Sequence, residues 1–237
     1  MDKLVIDTET DSLDPFTGEL KYIGYSLNKE PVKLVNHYLG KDEELFRLVQ
    51  DKDILKCFHH ANFDLLWLNL NGYPTLEPYF DTHIYHHLLS PLEPSGLKEL
   101  TKKLLRKRVT TLKEICEHKD PERSDYIKIG MDNTKGYGWV RKDKLEQYLT
   151  EDVENTASLT DLAFEKGIPE YYWKYEQPLI QIILDMELNG MRVDTNELKF
   201  LYSTYRREAQ ELEEYFKVKD INPRSSVQVR AEILKDK

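Results

Sequence analysis

Apolar residues are spaced in two different ways along this chain. Before residue 80 they fall in short runs: KLVIDT (3–8), LKYIGYSLN (20–28), VKLVNHYL (32–39) and ILKCFHH (54–60). Each run has the length and the β-branched or aromatic content that predict a strand. Asp14, Pro15 and Gly18 mark a turn before the second run, and residues 28–31 mark a hairpin before the third. DEELFRLVQ (42–50) and NFDLLWLNLNG (62–72) space their apolar residues by three and four, which predicts helices, the second stopped by Gly72. After residue 80 that helical period dominates, over 81–90, 96–107 and 141–167. Two further helices fit 170–189 and 195–216, with LNGMRVD (188–194) as a turn carrying a short extended piece. Residues 118–140 combine turn formers with no period and predict a loop. Strands, then strand–helix–strand, then outer helices predict an α/β domain over 1–168 and a helical segment over 169–237. A mixed sheet is expected, because the first three strands are close enough to form a meander.

Composition narrows the class. The 237 residues are 40% hydrophobic, 11% aromatic and 32% charged, enough for a core inside a water-soluble surface. No apolar run approaches the roughly 18–20 residues that span a bilayer. The N-terminal MDKLVIDTET lacks a basic start followed by an apolar stretch, so the expectation is a cytoplasmic protein with no membrane partner. Cys57 and Cys116 are far apart and match no metal spacing, which predicts reduced thiols. The net charge of −9 argues against coating nucleic acid by bulk attraction. It leaves open a local grip through cations and a basic patch, such as the six Lys and Arg of KELTKKLLRKR (98–108), which otherwise reads as a solvated helix face.

The strand pattern leaves acids to explain. In VIDTETDSLD (5–14), Asp7 and Glu9 would project from one side of a strand fixed by Leu4, Val5 and Ile6. Either the strand ends at residue 6 and both acids are solvated, or something positive lies between them. Asp64, in HHANFDLLWL, falls at a helix start, where the helix dipole alone would favour a carboxylate. Tyr148 and Asp152, in YLTED, lie four apart on one helix face. Together Asp7, Glu9, Asp64 and Asp152 supply four hard oxygen donors, the ligand type suited to Mg2+ or Mn2+. Four carboxylates around two such ions describe a two-metal phosphoryl-transfer site, in which a tyrosine hydroxyl can orient the attacking water. A rival grouping of His83, His86 and His87 with Asp81 would suit an HD-type phosphohydrolase, with His83 and His87 one turn apart on a shared metal. It leaves Asp7, Glu9 and Tyr148 without a role.

VIDTETDSLD, ANFD and YLTED, in that order, resemble the three motifs of the DEDD superfamily of 3′–5′ exonucleases, which has a ribonuclease-H-like fold. Gln147 stands where the histidine branch would place its histidine, and Tyr148 matches the tyrosine branch. DTHIYHHLLSP with GLKELTKKLL is similar to a segment of bacterial DNA polymerase I-type (family A) proteins. YEQPLIQIILDMELNGMRVDTNEL (175–198) resembles the link into their polymerase domain, and INPRSSVQVRAEIL (221–234) the opening of its thumb. The resemblance implies a mixed five-stranded sheet flanked by helices and a C-terminal helical extension. It implies that Asp7, Glu9 and Asp152 hold one Mg2+ or Mn2+, that Asp7 and Asp64 serve a second, and that Tyr148 positions the nucleophile. Leu13 matches a position that wedges beside the terminal base and Phe63 an aromatic near the single strand; Thr8 and His60 are expected at the nucleic acid as well. His60 departs from the asparagine often found there. The implied function is proofreading-type hydrolysis at a single-stranded or frayed DNA 3′ end, releasing nucleoside monophosphates. No polymerase active site is expected in these residues, and a separately encoded polymerase is a conceivable partner. The alternatives are an RNA exonuclease of the ribonuclease D type and a non-catalytic module that holds a primer end for a separate polymerase.

Overall fold

The computed structural model describes residues 1–117, 125–130 and 137–236. Two compact units divide at Asn189 and Gly190.

The first unit is built on a mixed five-stranded sheet. It comprises β1 (Asp2–Thr10), β2 (Leu20–Leu27), β3 (Lys33–Asn36), β4 (Ile54–Phe58) and β5 (Tyr79–Asp81), in spatial order β3-β2-β1-β4-β5. β1 is central, antiparallel to β2 and parallel to β4. The predicted meander is therefore present, although β3 gives way to a 3-10 turn at His37–Leu39. β1 does not stop at residue 6. Its ladder with β2 continues through Asp7↔Gly24 and Glu9↔Tyr22.

Alternation along β1 divides the core. Leu4 and Ile6 face a cluster containing Leu65, Leu66, Trp67 and Leu68 of helix α2 (Ala61–Leu70), which follows α1 (Glu43–Gln50) in the chain. Val5 faces the opposite cluster, with Leu145, Leu149 and Val153 of the long helix α6 (Lys142–Lys166). Between α2 and α6 run α3 (Thr82–Leu89), α4 (Leu97–Leu100), which continues as a π-helical stretch to Leu105, and α5 (Leu112–Ile115). Gly24 permits the close seating of α6 on the sheet: a Cβ there would meet Leu149 Cγ at 2.8 Å and Val153 Cγ2 at 3.0 Å.

The segment 118–140 is not simply a loop. β6 (Cys116–Glu117), β7 (Tyr126–Gly130) and β8 (Tyr137–Arg141) form a small antiparallel sheet in the order β6-β8-β7. Residues 118–124 and 131–136 of the predicted loop lie outside the described residues. Helix α7 (Gln177–Asn189), preceded by a π-helical turn over Tyr172–Glu176, buries Ile180 and Leu184 in the α2 cluster. That packing carries the first compact unit past residue 168. The second unit consists of α8 (Thr195–Val218), capped by the Asp194 side chain, and α9 (Ser226–Ile233), capped by Ser225.

Candidate active site

The C-terminal half of β1 delivers Asp7 and Glu9 to the floor of a cleft of about 540 Å³. Thr8, Leu13, His60, Phe63, Asp64, Tyr148 and Asp152 line the same cleft, so every residue that the exonuclease resemblance singled out meets in one place. The routes differ. Asp7 and Glu9 share the α6 face of the strand, where Tyr148 and Asp152 sit one turn apart. Asp64 comes from the first turn of α2, beyond the end of β4, and is 2% exposed. Thr8, on the other face of β1, donates its hydroxyl to Asp64 Oδ1 at 2.6 Å. Sequence reasoning put Thr8 at the nucleic acid; here it is buried and ties Asp64 to the strand. Leu13 is exposed at the rim, and Phe63 packs beside Trp67 with ring centroids 6.2 Å apart.

Burial dominates the electrostatics. Asp7 retains some solvent contact through the cleft, yet protein surrounds it elsewhere. Desolvation, reinforced by Asp64, Asp152 and Glu9, holds its carboxyl well above the ordinary range. Asp64 is pushed up to about 8 by burial, against the lowering effect of the Thr8 hydrogen bonds. Burial also raises Asp152, opposed by Lys98. Tyr148 is raised by burial and then by the charges of Asp152, Glu9 and Asp7, so it stays a neutral phenol at any physiological pH. Acids so arranged are stable as anions only beside positive charge, and their donors are all hard oxygens. Hard oxygens are the donors that divalent cations of the Mg2+ or Mn2+ class take, although among the described residues no three of these carboxylates bring an oxygen each within 4.8 Å of one another.

Sequence reasoning missed Lys98. Its ammonium pairs with Asp152 Oδ1 and lies 4.0 Å from the centroid of the Tyr148 ring. It had been one member of the basic run 98–108, whose Lys103 pairs outward with Glu93 instead. Leu112 and Gly130 also reach the cleft, the latter from β7. Gly130 approaches the backbone of Ser12 so closely that a Cβ would lie 3.1 Å from its nitrogen, packing the small sheet against the end of β1.

The rival histidine grouping does not assemble as expected. Asp81 is occupied by backbone: its carboxylate accepts from His83 N and Ile84 N at the start of α3, and from His60 N and Ala61 N at the start of α2. His86 lies toward Glu93. His83 instead meets His59 and His60, with ring centroids 5.7 and 3.8 Å away. His59 is driven down to about 3 by burial and by the neighbouring His60 and His83, so it is a neutral imidazole.

Residues 1–162 match a protein-family profile described as 3′–5′ exonuclease. DNA polymerase I of Borreliella burgdorferi is 25% identical over 210 residues, covering 82% of this chain. DNA polymerase I of Chloroflexus aurantiacus is 28% identical over 214. The chain spans 21% of the length of each. Among solved structures, Brucella melitensis NrnC with bound Mg2+ has a TM-score of 0.53 at 23% identity, over 78% of this chain and 80% of that one. The POL domain of Pol1 from M. smegmatis, in complex with DNA primer-template and dNTP, has a TM-score of 0.64 at 17% identity, over 97% of this chain and 36% of that one. At those identities the two structures speak for the fold.

Proposed function

The chain belongs to the 3′–5′ exonuclease family, and from that membership we propose that it hydrolyses the terminal phosphodiester of single-stranded or frayed DNA 3′ ends, releasing nucleoside monophosphates. One observation carries the reading: four carboxylates from three separate elements converge with a tyrosine in one cleft. Asp7, Glu9 and Asp152 would hold one divalent cation, and Asp7 with Asp64 a second. Such cations, when bound, supply the positive charge that favours a hydroxide-like nucleophile and a departing 3′ oxygen.

The residues of the chain do the rest. The neutral Tyr148 hydroxyl orients the attacking water; as the water oxygen bonds to phosphorus, the bond to the 3′ oxygen breaks and that oxygen takes up a proton. Leu13 and Phe63, at the rim, wedge and stack against the terminal bases, where stacking is worth about 1–3 kcal/mol per base. A mismatched end reaches such a cleft more readily because it costs less to unpair. The division into an exonuclease domain over 1–168 and a helical segment over 169–237 belongs to the same proposal. It is supported by the likeness to the POL domain, which extends over 97% of the chain while the family match stops at residue 162. That likeness also makes a family A polymerase domain the natural protein partner.

The test is digestion of a 5′-labelled single-stranded DNA oligonucleotide in Mg2+ or Mn2+, with a matched RNA strand beside it. A ladder shortening from the 3′ end of the DNA, lost on chelation and in Asp7→Ala and Asp152→Ala chains that fold normally, is the expected result. Preference for the RNA strand would overturn the substrate assignment, and undiminished digestion by both variants would overturn the site.

A further inference from the structure

Among the described residues, His59, His60 and His83 are the one group of three whose ligand nitrogens all lie within 4.8 Å of one another. We propose that these three imidazoles form a second metal site, distinct from the carboxylates, selective for a borderline-soft divalent cation of the Zn2+, Co2+ or Ni2+ class.

The hydrogen bonds fix which nitrogen each ring offers. Thr82 donates its single hydroxyl proton to the Phe58 carbonyl at 3.1 Å. Its oxygen therefore acts as acceptor toward His59 Nδ1, 2.8 Å away, and Nδ1 carries the proton. The lone pair of His59 is then on Nε2, which makes no close hydrogen bond in a residue only 8% exposed, with the Ser95 backbone near enough to act on the ring. His83 repeats the pattern. Its Nδ1 lies 3.1 Å from the Ser95 carbonyl, which can only accept, so its Nε2 also presents a lone pair. A histidine that donates its far N–H to a carbonyl or hydroxyl is the usual partner arrangement of a metal-ligating imidazole, because it sets the tautomer and the ring orientation together.

His60 completes the set. Its backbone is left-handed, at φ 73° and ψ 55°, a conformation that costs a non-glycine residue about 1–2 kcal/mol. That turn into α2 brings its ring within 3.8 Å of His83. A tetrahedral ion with Zn–N bonds near 2.0–2.1 Å needs nitrogens about 3.4 Å apart. Binding an ion would therefore require the exposed His60 side chain, and to a lesser extent His83, to move toward His59. Imidazole donors select zinc-like ions, whereas Mg2+ prefers oxygen. All three histidines line the cleft that holds Asp7 and Asp152, so the fourth coordination position would be filled by water from the cleft. This inference does not depend on the exonuclease reading.

The experiment measures Zn2+ binding to the full chain by competition with a chromophoric chelator, and records the visible spectrum with Co2+. An Asp7→Asn, Asp152→Asn chain removes competing carboxylate binding. That chain should retain one Zn2+ and show the intense visible bands of four-coordinate Co2+. His83→Ala and His60→Ala should each weaken Zn2+ by about 100-fold or more. If His83→Ala fails to fold, the solvent-facing His60→Ala still decides. No Zn2+ bound in the Asp variant, or a loss under tenfold in every folded histidine variant, overturns the site.

Discussion

Replacing Lys98 by Met removes the cation that pairs with Asp152 while keeping most of the side chain's bulk. In the absence of divalent cations the loss has two parts. The hydrogen bond to a charged partner is worth about 1.5–3 kcal/mol, and here both side chains are largely shielded, at 17% and 7% exposure. The ammonium over the Tyr148 ring adds about 0.5–1 kcal/mol. About 3 kcal/mol is the upper figure, because the deserted Asp152 escapes part of the penalty by taking up a proton. For a chain of this size that corresponds to a fall of about 6–12 °C in Tm. With cation present the sign reverses, since Lys98 competes with any ion for the same Asp152 oxygen and repels it. Lys98→Met should therefore melt lower in chelator, gain more from Mn2+ than the parent, and reach half-maximal stabilisation at lower Mn2+. Differential scanning calorimetry with and without Mn2+ reads both effects. Identical Tm in chelator and an identical Mn2+ titration would refute the assignment of Lys98 as the local counter-charge.

Tyr148→Phe should slow 3′-end hydrolysis by about 100-fold while leaving the Mn2+ stabilisation curve unchanged, as expected of a group that orients water rather than holding the ion. Stability without cations should fall as pH rises. Asp64 has a folded pKa of about 8 against 3.8 ordinarily, so its contribution is complete below about pH 4 and is lost as pH climbs through 8. Tm measured from pH 5 to 8 in chelator should decline in the parent and less steeply in Asp64→Asn, where the raised Asp7 and Asp152 still contribute; parallel curves would contradict this. Gly24→Val should cost about 1–3 kcal/mol by overpacking against Leu149 and Val153. It should also lower the hydrolysis rate, because it displaces the helix that carries Tyr148 and Asp152, and thermal melts beside the nuclease assay would separate the two losses.

The parts of the site that sequence made legible are those set by local periodicity. Period two put Asp7 and Glu9 on one side of β1, and the four-residue interval put Tyr148 beneath Asp152. Asp64 was readable as a first-turn acid, but its depth depends on α2 packing beneath β1, which no local pattern reveals. Lys98 was hidden for the same reason: among six neighbouring cations, only the packing of α4 on α6 chooses which one turns inward. The small sheet was missed because β6 has two residues, and because Gly130 and Gly138 read as turn formers. Thr8 entered through the resemblance as a nucleic-acid contact; its bond to Asp64 joins β1 to α2 across the sheet, and no local spacing reveals it. The histidines pair across β4 and α3, so spacing along α3 alone suggested His83 with His87, whose stacked rings are 6.4 Å apart.

Asp81 holds the beginnings of α2 and α3 with one carboxylate, and those helices carry Asp64 and His83. The two lever arms thus share a single fulcrum. Loss of that carboxylate would leave both helix starts without their shared acceptor, and so unsettle the acid beside Thr8 and the histidine of α3 together.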